Sequence, residues 1–96
     1  MKTGIELIAE ERNRQIGKEG YSAEHDDQHR KGELSIAAFC YCLPPKHRPY
    51  ISPISWFKTM KWDIKHWKPT ERIKELQKAG ALIAAEIDRL NRLDNE

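Results

Sequence analysis

Between residues 12 and 29 this 96-residue chain gathers most of the side chains that could do chemistry. Arg12, Arg14 and Gln15 bring two planar guanidinium groups and an amide within about one helical turn, a set suited to gripping phosphate or carboxylate through paired hydrogen bonds. Tyr21 adds an aromatic face for stacking. The run Glu24-His25-Asp26-Asp27-Gln28-His29 is the densest in potential metal ligands, and on a helix His25 and His29 would stand at i and i+4 on one face. Two imidazoles so spaced can share a Zn²⁺ ion, with Glu33 as a third ligand, although Gly32 interrupts that extension. The plainer role for these residues is a clamp: Asp26 or Asp27 paired with Arg12 or Arg14, pinning the loop to the first helix and, at the same time, able to preorganise a pocket. Lys78 lies beside an apolar section and is placed to enter a site between helices.

Other constellations are weaker. Trp56, Trp62 and Trp67 alternate with Lys58, Lys61, Lys65 and Lys68, the pattern of stacking surfaces in a positive field. Aromatics in a long loop also pack onto a core, and with a net charge of only +2 and no complete nucleic-acid module, nucleic acid is not the expected partner. Ser35, Ser52 and Ser55 lack a nucleophile elbow. Cys40 and Cys42 fall in the most apolar stretch, where burial disfavours the thiolate; two apart on a helix, they point about 200° from each other and cannot pair. Gly17 and Gly20 do not open a phosphate-binding loop. No complete catalytic constellation results.

The elements that must position these residues read as helices. Thr3 and Glu6 have the spacing of a capping box, predicting a helix over 3–16 with Ile5, Ile8, Ala9 and Ile16 on one face. Arg12 falls within that stripe, so its guanidinium needs a partner or a ligand. Gly17 and Gly20 are expected to end the helix, and Ser22 to cap a short turn within 22–30. Residues 33–43 are almost continuously apolar and predict a helix buried on most sides, stopped by Pro44-Pro45. Residues 44–69 hold all five prolines and all three tryptophans, with six Lys or Arg against one acid, and read as an irregular basic insertion with one short helix near Ser55–Met60. From 70 to 93 Ile73, Leu76, Gly80, Ile83, Ile87 and Leu90 recur at alternating spacings of three and four, a heptad seam. The charges of this last helix, Glu75, Glu86, Asp88, Arg89 and Arg92 among them, read as a solvated face with pairs such as Glu86–Arg89 and Asp88–Arg92.

The stretches Met1-Lys2-Thr3-Gly4-Ile5-Glu6-Leu7-Ile8-Ala9-Glu10-Glu11-Arg12, Arg14-Gln15 with Glu19-Gly20-Tyr21, Glu24-His25-Asp26-Asp27, Gly32-Glu33-Leu34, and Lys78-Ala79-Gly80-Ala81-Leu82 through Ile87-Asp88-Arg89 together resemble a family of small phage- and prophage-encoded proteins. The resemblance covers both ends of the chain, leaves 44–69 apart, and implies a biological setting. A more distant similarity is to all-α nucleotide pyrophosphohydrolases of the MazG kind, where Mg²⁺ bound by Glu-x-x-Glu and Glu-x-x-Asp pairs assists attack of water on a nucleoside triphosphate. Here the first helix offers Glu6, Glu10 and Glu11, the second only Glu33, and the last Glu86-x-Asp88, whose spacing sends the carboxylates to different sides of a helix.

The sequence therefore predicts one all-α domain, 1–96: a small helical bundle with a long C-terminal helix and a Pro/Trp-rich insertion, assembled as a homo-oligomer. No apolar run approaches the ~20 residues of a bilayer span, and the N-terminal stretch lacks a signal peptide's apolar core, so the host-cell cytoplasm is the expected compartment. The function it favours is a counter-defence accessory protein that sequesters a small anionic, nucleotide-derived signal without catalysis or cofactor, through Arg12, Arg14, Gln15, Tyr21, His25, Asp26, Asp27 and Lys78. The alternatives are a Mg²⁺- or Zn²⁺-dependent triphosphate pyrophosphohydrolase using Glu10, Glu11, Glu33, Asp26 or Asp27, and an inhibitor presenting its tryptophans to a host protein.

Overall fold

A computed structural model of the chain describes residues 1–94, and the described residues are helical, with no strand. Helix α1 spans Gly4–Lys18. The capping box holds its start: Thr3 Oγ1 accepts from the Glu6 amide at 3.2 Å, and Glu6 Oε1 accepts from the Thr3 amide at 3.0 Å. Gly17 does not end the helix; it passes through and stops one residue later, before Gly20 takes a φ of +75°. Helix α2, Ala23–Asp27, is capped by Ser22. Gly32, at φ +82°, turns the chain into α3, Glu33–Cys42, which ends before the paired prolines. Short 3₁₀ turns at Pro45–His47 and Ile64–His66 flank α4, Pro53–Thr59, where Ser52 caps the start. Helix α5 runs Arg72–Asp94.

Helix α5 is the spine. Arg72, its first residue, donates from Nη1 to the carbonyls of Tyr41 (2.9 Å) and Leu43 (3.2 Å) and from Nη2 to that of Cys42, satisfying the last turn of α3. This clasp fixes α3 antiparallel along α5, and Leu34, Ala37, Ala38, Cys40 and Tyr41 meet Ala79, Leu82 and Ala85 in the core. Helix α1 packs across α5: Gln77 Nε2 donates to the Leu7 carbonyl at 3.2 Å, Ile8 sits on Gly80, Lys78 reaches Glu11 at 3.7 Å, and Arg12 reaches Asp88 at 3.6 Å. The 44–69 segment is less irregular than its composition suggests, because it folds back and seals the core with Phe57 and Trp62.

The faces of α1 and α5 differ from the sequence expectation. On α1 the buried residues are Glu11 and Gln15, while Ile5 and Ile16 are exposed. On α5 the heptad seam is outside: Ile73, Leu76, Ile83, Ile87 and Leu90 are exposed, and Glu75 and Arg89, expected in water, are buried. The reason is that Ala79, Ala81, Leu82 and Ala85 offer α3 a smooth surface on the opposite side, and polar groups there find partners. Glu86 pairs with Arg89 as predicted, whereas Asp88 and Arg92 part company, Asp88 to Arg12 and Arg92 to Asp27. Cys40 is buried but Cys42 is exposed. Among the described residues no helix is long and apolar enough to cross a membrane.

Candidate functional site

Arg14 and Gln15 on the last turns of α1, Glu19 and Tyr21 just beyond it, Tyr41 of α3, Trp62, His66 and Lys68 of the returning segment, and Lys78 and Leu82 of α5 surround a narrow cleft with a cavity volume of about 20 Å³, room for about one water molecule. A second, wider cleft of about 420 Å³ adjoins it and is lined by Glu10, Glu11, Lys74 and Gln77. Arg14, Lys68 and Lys78 belong to both.

The first cleft is aromatic with a polar wall. Tyr21, buried, keeps its proton because burial pushes its phenol well above the ordinary range, and its hydroxyl shares a hydrogen bond of 2.9 Å with His66 Nδ1. Burial likewise lowers the His66 imidazole, with Lys65 adding to the effect. Tyr41 donates to the His66 carbonyl at 2.9 Å and accepts from the Lys68 amide at 2.8 Å; burial pushes its phenol up to about 12. These bonds moor residues 66–68 over the core. On the wall, Gln15 is 3 % exposed, its Nε2 donates to Glu11 Oε2 at 3.2 Å, and its Oε1 is buried with no donor facing it. An unanswered buried acceptor costs about 1–3 kcal/mol.

The second cleft is ionic. Arg14 grips Glu11 with two hydrogen bonds of 2.7 Å and reaches Glu19 at 3.1 Å. Lys68 Nζ holds both oxygens of Glu19, at 2.8 and 2.9 Å. Burial alone would raise the Glu11 carboxyl, but the Arg14 bonds and the Lys78 charge outweigh it and hold it low. The Lys68 bond, followed by that from Arg14, keeps Glu19 low against burial. Lys78 Nζ stands 3.7 Å from Glu11, and burial lowers its ammonium.

Of the residues singled out from sequence, Arg14, Gln15, Tyr21 and Lys78 come together here, and His25 backs the cleft with its ring stacked on Tyr21 at 4.6 Å between centroids. Arg12, Asp26 and Asp27 do not reach it. Arg12 Nη2 pairs with the fully buried Asp26 at 3.3 Å, and Asp27 pairs with Arg92 at 2.7 Å, so these three form the clamp that ties α2 to α1 and α5. His25 and His29 do face each other, Nε2 to Nε2 at 3.4 Å, but Glu33 lies at the far nitrogen of His29, at 3.6 Å. Among the described residues no group of three or more His, Cys, Asp and Glu side chains is arranged to hold a metal ion.

Residue type and spacing do not mark Glu19, Tyr41 and His66 for this site, and they give Glu11 and Lys68 other roles. By type alone Glu11 reads as a metal carboxylate; its spacing of three from Arg14 and four from Gln15 is the signal that ties it to the cleft. Lys68 belonged to the alternating Trp/Lys pattern, while nothing local marks His66. No family model, curated protein or solved structure matches this chain.

Proposed function

We propose that this protein binds a small anionic ligand with a planar, nitrogen-rich ring, of the nucleotide class, across the two joined clefts, and holds it without turning it over. The observation that carries this reading is the buried, unanswered Oε1 of Gln15 on the wall of an aromatic cleft. An N–H presented to it from the wider cleft would remove the cost of an unpaired acceptor, with the body of the ligand held in that wider cleft beside Arg14 and Lys78. The adjoining cleft then supplies cations for phosphate: Arg14, Lys68, Lys74 and Lys78 line the two clefts against Glu10, Glu11 and Glu19, four positive groups to three negative. The carboxylates there are engaged by guanidinium and ammonium groups, an arrangement for holding charge and not for generating a base. The resemblance to small phage-encoded proteins suggests the use: keeping a nucleotide signal of host defence from its receptor.

The test is calorimetry with a panel of linear, cyclic and ADP-ribose-type nucleotides, followed by mass spectrometry of the ligand released on denaturation. A ligand recovered intact, bound about tenfold more weakly by Gln15→Met at unchanged helicity, is the expected result. Absence of binding across the panel, or metal-dependent loss of the nucleotide with new mono- or diphosphate products, overturns it. A second reading, inhibition of a host protein, draws on the exposed Tyr50, Ile54 and Trp56; Trp62, buried in the core, is not available for it.

A further inference from the structure

His25 and His29 turn their Nε2 atoms toward each other across a gap of 3.4 Å. Bonds of about 2.0–2.1 Å from two imidazole nitrogens to a tetrahedral Zn²⁺ put those nitrogens ~3.3–3.4 Å apart, so the gap has the span of one edge of such a site. The rings stand 4.8 Å between centroids with their planes at 64°, meeting at an angle and not stacked face to face. The side chain of His25 is 25 % exposed and that of His29 18 %, so neither ring is sealed from solvent.

The groups behind the rings decide which nitrogen is free. Asp26 Oδ1 lies 3.0 Å from His25 Nδ1, and its other oxygen accepts from Arg12 at 3.3 Å. Glu33 Oε2 lies 3.6 Å from His29 Nδ1, and its other oxygen accepts from the Lys31 amide at 2.6 Å. A carboxylate accepts and does not donate, so both favour a hydrogen on Nδ1 and leave the Nε2 lone pairs directed into the gap. Two lone pairs that close repel unless a proton or a cation lies between them. A carboxylate on the far nitrogen is also the outer partner that metal-ligating histidines almost always have, fixing the ring and making the near nitrogen a better donor. Glu33, which the sequence offers as a third ligand, stands in that outer position instead. Among the described residues no third His, Cys, Asp or Glu joins the pair, so water is left to complete the coordination. Imidazole donors suit Zn²⁺, whereas Mg²⁺ and Ca²⁺ take oxygen.

We propose that His25 and His29 bind one Zn²⁺ ion through their Nε2 atoms, supported from behind by Asp26 and Glu33. Neither histidine lines the two clefts, so this site stands apart from the nucleotide reading. Calorimetric titration of the full chain with zinc chloride is expected to give one ion per chain with a micromolar Kd. His25→Gln and His29→Gln are each expected to weaken it at least about tenfold, while His47→Gln and His66→Gln leave it unchanged. Should either of the first two variants lose helicity, the wild-type chain carries the test alone: in long-range nitrogen–proton NMR correlation, zinc is expected to shift the Nε2 signals of His25 and His29 and to leave those of His47 and His66 in place. No saturable binding below millimolar Zn²⁺, binding that survives the loss of either histidine in a folded chain, or coordination by a nitrogen other than these two overturns the proposal.

Discussion

Glu75 is 1 % exposed and answers two guanidinium groups, Arg48 Nη1 at 3.0 Å and Arg72 Nη1 at 3.4 Å, together with the Thr70 amide at 3.2 Å. Burial would raise its carboxyl, and these bonds outweigh burial and keep it low, so it is ionised at neutral pH. Arg48 depends on it, since Nε and Nη2 of Arg48 are buried without partners and its guanidinium lies over the Trp67 ring at 5.0 Å. Removing one member of such a pair leaves the other charge uncompensated, which costs about 3–5 kcal/mol. Glu75→Gln should therefore lower the melting temperature by ~12 °C or more in a chain of this length, checked by a thermal melt; a shift of only a degree or two would show that the ion pair contributes little. Arg12 was legible as an inward charge because it interrupts an apolar stripe. Glu75 was not, because nothing in its spacing distinguishes it from the surface carboxylates around it; its partner Arg48 is 27 residues away on the irregular segment.

Helix α1 approaches α5 closely enough that one glycine decides the contact. A Cβ at position 80 would stand 2.5 Å from Ile8 Cδ1 and 2.7 Å from its Cγ1, and the branched side chain has few rotamers in a helix with which to withdraw. Gly80→Ala gains ~1 kcal/mol of helix propensity but meets an overpacking cost of about 1–3 kcal/mol. The single variant should thus be neutral to ~2 kcal/mol less stable, and in an Ile8→Ala background the same replacement should stabilise, its propensity gain being unopposed. Urea unfolding of the four combinations checks this; equal effects in both backgrounds would mean Ile8 is not what the glycine makes room for. The elements themselves were legible: the capping box, the proline pair and the three-and-four period located α1, α3 and α5 to within about two residues. Which face of α1 and α5 turns inward was not, because both carry an apolar stripe and the sequence does not say which stripe the core takes.

At the level of the whole molecule, stability is tied to uncharged imidazoles. His29, stacked on Trp62 at 4.5 Å, is lowered by burial and then by His25; His66, bonded to Tyr21, is lowered by burial and then by Lys65. The unfolded chain takes up these protons near pH ~6.5 and the folded chain only at lower pH. The unfolded state therefore binds more protons in that window, so stability is complete above the unfolded value and falls as pH drops through the folded ones. Melting temperature should decline by several degrees from about pH 7 to pH 5, and His66→Gln should flatten part of that slope; an unchanged slope would take His66 out of the account. Little of this was legible beforehand. His66 and Trp62 lie in a stretch with no periodicity, and their places follow from the Tyr41 and Tyr21 hydroxyls that capture the returning chain from far away in sequence.

A helix with apolar residues on both sides poses a question of folding: what stops α5 from rolling over and burying its seam of isoleucines and leucines in place of its alanines? Hydrophobicity alone favours the larger side chains, so the landscape holds a competing basin in which the same helix packs backwards. The answer lies in the polar groups set into the alanine side. In the rolled arrangement Glu75 loses Arg48, Arg89 is cast out of its buried seat, Ile8 loses the notch at Gly80, and Arg72 swings away from the open end of α3. Each of these contacts is lost in the wrong packing, and the charges among them would be left buried without partners or dragged out of their seats. They act as keys that choose between two otherwise acceptable packings.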